Sequence, residues 1–199
     1  MSRARLLRDH LQRSCGVLLF AALVGCAPLP QRAVTLQSLP SEFSARLPIL
    51  QAWAQFELTG KISVTRDGER VMAQMRWSQQ DRQSRLRLDG PLGIGGGELS
   101  WETADDAVIA ALERQLGVPL PAASLRYWLL GVPDPHLPNE SLQLVDERVT
   151  SLQQAGWTLR YSRYAQVTGR QFELPARIDI EREQLALRLV IDEWRGPRR

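Results

Sequence analysis

The chain is poor in the residues that most chemistry requires. Of its 199 residues, two are cysteine and two are histidine. Cys15 and Cys26 both lie near the N-terminus. Everything beyond them lacks a thiol for a disulfide or a thiolate metal site. His136 is the one histidine past residue 25, and it stands among prolines with no second histidine near it. That argues against a metal centre. Charge of one sign is scarce as well. The formal net charge is +3. Arg3, Arg5, Arg8 and Arg13, set against Asp9, account for all of it. Residues 26–199 are near neutral, without the basic face that nucleic-acid binding needs. The pI of about 9.3 is partly a product of the first residues. No apolar run reaches membrane-spanning length; the longest near the N-terminus covers residues 16–24. No nucleophile stands beside a visible base, and Asp105-Asp106 reads as helix-start electrostatics rather than a catalytic pair. The five glycines within residues 90–97 are not a dinucleotide fingerprint, because no parallel βαβ unit surrounds them. The expectation is a protein that is no enzyme and has neither cofactor nor metal.

What is present begins with an ordered leader: four arginines, the apolar stretch, then Leu23-Val24-Gly25-Cys26. That order resembles the signal and lipobox of bacterial lipoproteins. The resemblance implies cleavage before Cys26, diacylation of its thiol and a membrane tether made of acyl chains. An ordinary signal peptide with an incidental cysteine is the alternative. On the first reading, residues 1–25 are a signal peptide, residues 26–40 are the lipidated cysteine with a Pro- and Gln-containing tether, and residues 41–199 are one domain. In enteric lipoproteins an Asp after the cysteine favours retention at the inner membrane. By that resemblance Ala27 permits anchoring at the periplasmic face of the outer membrane.

Periodicity organises the domain. Residues 41–53 read as a short helix capped by Ser41, with Phe43, Leu47 and Leu50 at helical spacing and Pro48 as a break or kink. The period then becomes two. Phe56, Leu58, Gly60, Ile62 and Val64 alternate with polar residues, Asp67-Gly68 supplies a turn, and Val71, Ala73, Met75 and Trp77 return. Gln79-Gln80-Asp81-Arg82 turns again into Ser84, Leu86 and Leu88. Residues 98–101 resume a short strand after the glycines. Thr103 caps a second helix whose face carries Val108, Leu112 and Leu116, and Gly117 stops it. Residues 122–130 form a third, with Leu125, Trp128 and Leu129 apolar. Residues 132–138 are a Pro-rich loop. Strands follow over residues 141–145, 149–153, a stretch with Trp157, Leu159 and Tyr161, then 172–180 and 185–194. The class is α+β: a curved antiparallel sheet with helices on one face. Periodicity alone does not decide whether the space beneath the helices is a solid core or a cavity.

Several segments, in order, resemble the LolB family of outer-membrane lipoprotein receptors. They are Leu58-Thr59-Gly60-Lys61-Ile62-Ser63-Val64, Met75-Arg76-Trp77-Ser78-Gln79, Gly90-Pro91-Leu92-Gly93 and Gly117-Val118-Pro119-Leu120-Pro121. Leu125-Arg126-Tyr127-Trp128-Leu129-Leu130-Gly131-Val132-Pro133, Gln154-Ala155-Gly156-Trp157, Leu174-Pro175 and Trp194 continue the set. The resemblance implies an unclosed antiparallel β-barrel with an α-helical lid, whose apolar cavity holds lipoprotein acyl chains. It also implies receipt of acylated lipoprotein cargo from the periplasmic carrier LolA and its insertion among outer-membrane lipids. A monomer is expected. One departure stands out: family members usually carry an extra hairpin before the helix that here begins at Thr103, and this chain passes from Leu99 to Thr103 almost directly.

The alternation nominates Leu58, Ile62, Val64, Val71, Met75, Trp77, Leu86, Leu88, Val108, Leu112, Trp128, Leu129, Leu159, Leu187 and Leu189 as cavity liners. Ordinary core is the alternative for each. Leu92 lies in a loop where sequence shows no packing partner, and the family's loop leucine protrudes to insert cargo, so the resemblance assigns that role to Leu92. We extend it to Ile94; a loop folded back onto the sheet edge is the alternative. Arg85 and Arg87 read as a solvated sheet face, with attraction to anionic head groups as the other reading. A structural or assembly lipoprotein with a filled core remains the alternative function.

Overall fold

The structure, a computed structural model, describes residues 39–90, 96–102, 110, 121–170 and 172–196. Helix α1 (Ser41–Gln51) precedes strands β1 (Gln55–Arg66), β2 (Glu69–Gln80), β3 (Gln83–Asp89) and β4 (Gly97–Trp101). Helix α2 (Ala122–Leu129) precedes β5 (Asn139–Val145), β6 (Arg148–Gln154), β7 (Trp157–Gln166), β8 (Glu173–Arg182) and β9 (Leu185–Arg195). One sheet holds all nine strands, in the order β4-β3-β2-β1-β9-β8-β7-β6-β5. Every neighbouring pair is antiparallel. Two meanders are joined along β1 and β9, and β4 and β5 are the edges. The α+β reading and the unclosed sheet hold.

Tight turns set the register. Asp67-Gly68 and Ala155-Gly156 take positive φ at both positions, as two-residue hairpins with right-handed twist require. So does Asp146-Glu147 (φ 48° and 61°), with no glycine to relieve it. That strained turn is held by α1. The Phe43 amide donates to the Glu147 carboxylate at 2.8 Å, and the Arg46 guanidinium donates to the Glu147 carbonyl at 2.5 Å. The cap position falls on Pro40, which offers no side-chain bond, and Ser41 is already helical, so Glu147 takes the capping role expected of Ser41. Pro48 does not break the helix. Phe43 and Leu50, one on each side of it, are both buried in the core and carry α1 through to Gln51.

The pairing fixes two ends. Turns 67–68, 155–156 and 183–184 gather at one. Turns 81–82 and 146–147, with α1, lie at the other. Strand β3 stops opposite Gln74, so the hairpin of β1 and β2 projects beyond it, and the chain leaves β3 at Gly90 beside that projection.

Two local features lock the layers. At Gly60 the β1–β9 register shifts by a bulge, and a Cβ there would lie 2.2 Å from the Val190 carbonyl oxygen. Only glycine lets the strands pass so closely. Under α2, Gln154 uses its whole hydrogen-bonding capacity. Its Oε1 accepts from Trp128 Nε1 and from the Asp134 amide, both at 2.9 Å. Its Nε2 donates to the carbonyls of Asp134 (2.9 Å) and Leu137 (3.2 Å). Helix α2, the loop behind it and β6 are thereby tied at one buried side chain.

Gly60→Ala is expected to lower stability by at least about 2 kcal/mol, because the clash is with backbone. Urea denaturation followed by circular dichroism measures it, and an unchanged midpoint would contradict the close approach. Gln154→Leu is expected to cost about 2–4 kcal/mol by orphaning an indole N–H and backbone groups. Faster amide exchange at Asp134 is its specific signature, and global destabilisation without it would place the loss elsewhere.

Candidate functional site

Register converts the alternation into rows across one face of the sheet. Leu86, Trp77, Leu58 and Trp194 form the first. Leu88, Met75, Gly60 and Ile191 form the second. Ala73, Ile62, Leu189, Ile178 and Tyr161 form the third. Val71, Val64, Leu187, Ile180, Leu159, Leu152 and Leu142 form the fourth, the row nearest the projecting hairpin. The opposite face carries Lys61, Arg76, Arg85, Arg87, Arg160 and Arg188, all exposed. The sheet is thus sharply two-sided.

Helix α2 lies against the apolar face. Trp128 is fully buried, its ring centroid 6.3 Å from that of Trp157, and its carbonyl accepts the Tyr161 hydroxyl at 3.1 Å. Burial, with the neighbouring Tyr164 second, holds the Tyr161 phenol well above the usual tyrosine range. It therefore adds no charge to the face.

Most of the nominated liners come together. Leu58, Ile62, Met75, Trp77, Leu86, Leu88, Trp128, Leu129, Leu159, Leu187 and Leu189 are all buried in one cluster. Val64 is half-buried against it. Val71 is a correction: it belongs to the right face by register but is 66 % exposed. The reason is the projection of β2 past β3, which leaves that corner without a neighbouring strand. The fourth row thus runs from fully buried Leu159 and Leu152 to an open edge at Val71 beside Gly90. Val108, Leu112, Cys26, Leu92 and Ile94 lie outside the described residues, as do the helix expected from Thr103 and the join between Glu102 and that helix.

Alternation also carried buried residues that were not nominated as liners, among them Leu142, Leu152, Ile178, Ile180 and Ile191. Gln154 was missed as well. Its signal was a polar residue in phase with Leu152 on the apolar face.

Near the opposite end a cavity of about 710 Å³ lies between α2 and the edge of β3 and β4, lined by Trp101, Pro121, Tyr127 and Leu137 with Ser84, Ser124, Asp134 and His136. The Ser124 hydroxyl donates to the Asp134 carboxylate at 2.8 Å, and the other carboxylate oxygen accepts the His136 amide at 2.9 Å. These polar groups fold the loop after α2, and the serine is bonded to a carboxylate rather than to an imidazole. Among the described residues no group of three His, Cys, Asp or Glu side chains is placed to hold a metal ion.

The family described as "Outer membrane lipoprotein LolB" matches residues 54–194. The outer-membrane lipoprotein LolB of Cellvibrio japonicus is 31% identical over 194 residues, covering 89% of this chain and 93% of that protein. That of Nitrosococcus oceani is 33% identical over 186 residues, covering 86% and 91%. Among solved structures, a LolA superfamily protein of Nitrosomonas europaea aligns with a TM-score of 0.49 at 10% identity, over 78% of this chain and 94% of that one. The family match spans both meanders and the helix between them, and the relatives are similar along almost their whole length: the chain belongs to the LolB family of outer-membrane lipoproteins.

Proposed function

We propose that this chain is an outer-membrane lipoprotein receptor that takes acylated lipoproteins from a LolA-type carrier, shelters their acyl chains and passes them to the outer membrane. The observation that carries the reading is the apolar face that runs unbroken across the open sheet and surfaces at Val71. A structural lipoprotein with a filled core gives no reason for that face to run out to solvent. Family membership favours the receptor over it.

The energetics demand an exit. A C16 chain removed from water gains on the order of 12 kcal/mol at about 0.8 kcal/mol per methylene. A site that realised all of it would not release its cargo. An adaptable apolar face, partly satisfied by its own side chains when empty, returns less and leaves the bilayer as the lower state. No bond is made or broken in the transfer, so no catalytic residue is required. Cys26 supplies the lipid anchor, with residues 27–40 as tether. Leu92, assisted by Ile94, is the side chain that enters the bilayer interface at handover. Dipping it gains about 2 kcal/mol, enough to orient the mouth without anchoring the protein.

A hydrophobic fluorophore is expected to bind the folded chain and be displaced by lipoprotein or fatty acid. Leu88→Glu, with folding checked by circular dichroism, is expected to abolish that binding. A folded wild type that binds no lipidic probe would refute the receptor reading. Leu92→Glu is expected to separate two steps, because a carboxylate resists entry into hydrocarbon. The variant takes lipoprotein from LolA yet fails to release it into liposomes. Equal release by variant and wild type removes Leu92 from the handover; lost acceptance would place it at the entrance instead.

A further inference from the structure

The projecting hairpin exposes two large apolar side chains in succession. Val71 is 66 % exposed on the inner face and Met72 is 61 % exposed on the outer. Isolated exposed apolar residues are ordinary, but two adjacent ones close behind the exposed turn of a projection, one on each face, form a wedge. Behind Met72 lies a groove of about 420 Å³ on the outer face, bounded in part by Gly90. Register explains its composition. Val190, Lys61, Gln74 and Asp89 make one row, and Arg188, Ser63 and Met72 the next. Its lining combines the apolar Met72 and Val190 with the cations Lys61, Arg70 and Arg188.

The rim charge is uneven. Asp89, the carboxylate of the groove, is paired with Arg87 at 3.1 Å. Arg188 is paired with Asp179. Lys61 and Arg70 have no carboxylate partner among the described residues; Arg70 reaches only the Thr65 hydroxyl, at 3.4 Å. Apolar side chains beside two cations that pair with no carboxylate among the described residues match one chemistry: an anionic amphiphile, with phosphate at the cations and hydrocarbon against the apolar lining.

Geometry permits a bilayer to supply it. The wedge lies at the end of the sheet opposite α1, where the tether enters. Strand β1 has 12 residues, a height of about 40 Å at roughly 3.3 Å per residue. Residues 27–40, fully extended, reach roughly 46–50 Å at 3.3–3.6 Å per residue. A chain anchored at Cys26 has enough length to lay this end against the same membrane.

We propose that the tip of the β1–β2 hairpin and the groove bounded by Lys61, Arg70 and Met72 are a docking site for anionic phospholipid, which sets the domain on the bilayer with the open corner of its apolar face downward. The proposal takes the Cys26 anchor from the preceding reading; the contact itself requires neither cargo nor Leu92. Val71 and Met72 reach the interface, and Arg70, one row nearer the turn, and Lys61, two rows beyond Met72, hold phosphates on either side of them.

The test uses the full chain, confirmed as acylated by mass spectrometry, in vesicles of phosphatidylcholine with or without 30 mol % phosphatidylglycerol. The composition follows from the roughly fivefold gain in docked-to-undocked ratio that each cation near an anionic surface contributes. A fluorophore is placed on Met72→Cys, with Val145→Cys, exposed at the opposite end, as reference. Quenching by spin-labelled lipid reads bilayer contact. The expected result is strong quenching at position 72 in the anionic vesicles, weak quenching in neutral ones and none at 145. Lys61→Gln with Arg70→Gln, two exposed positions whose loss spares the core, is expected to lower the docked ratio about thirtyfold. Quenching at 72 no greater than at 145, equal quenching in neutral and anionic vesicles, or quenching indifferent to the double substitution would each overturn the proposal. Because the anchor is verified beforehand and Leu92 is untouched, none of these results bears on anchoring or on cargo release.

Discussion

Strands β1 and β9 lie at the two ends of the domain's chain and pair side by side in the middle of its sheet. Each meander on its own is a row of hairpins closed by short turns, and its contacts are local. Among the described residues, the ladder between β1 and β9 is the strand pairing that makes a single sheet of both. It brings the Leu58 and Ile62 rows of the first meander into phase with Trp194 and Leu189 of the second. The bulge at Gly60 is where that phase is adjusted, with backbone approaching backbone too closely for any other residue. Such a pairing closes a loop nearly as long as the domain, an entropic cost met late in folding. The rest of the layer, including the seat of α2, presupposes it.

The strands were legible because period two is unambiguous when one face is buried. From Phe56 to Leu88, over Trp157, Leu159 and Tyr161, and over Leu187 and Leu189 the alternation named the correct face. Legibility failed where the cause was not local. Ser41 carried the usual signal for a helix cap, but a carboxylate from the turn between β5 and β6 took the position. Val71 obeyed the alternation and was still exposed, because exposure depends on how far the neighbouring strand extends. That length is set by where β3 gives way to glycine-rich chain. Pro48 failed differently: the penalty is real, but two buried neighbours outweigh it. Of the site, the apolar face could be read directly from the sequence, whereas its open corner could not, since that corner arises from a mismatch in length between two strands.

The polar interior has a division of labour. Gln154 is satisfied at every donor and acceptor, and with Ser124 and Asp134 it fastens α2 and the following loop to β6. Those contacts are directional and fixed. Over β1, β2 and β3 the one buried polar pair, the Ser84 hydroxyl donating to Gln79 at 2.7 Å, sits at the end by turn 81–82; the rest of that face is held by apolar contacts, which have no preferred direction and rearrange at small cost. One half of the layer thus behaves as a frame and the other as a lining.

A sheet with two free edges has a seam. Among the described residues β4 pairs only with β3 and β5 only with β6, so no ladder ties the first strand of the order to the last. In a closed barrel the circumference is quantised by strand number and stagger, and the interior volume is fixed with it. Here the curvature of the sheet is a continuous variable, and among the described residues no ladder between its two edges has to break for it to open. The elastic cost of widening is spread over eight strand pairs as small changes in twist. Interior capacity becomes a soft quantity, which suits contents that vary in number and length of chains rather than in shape.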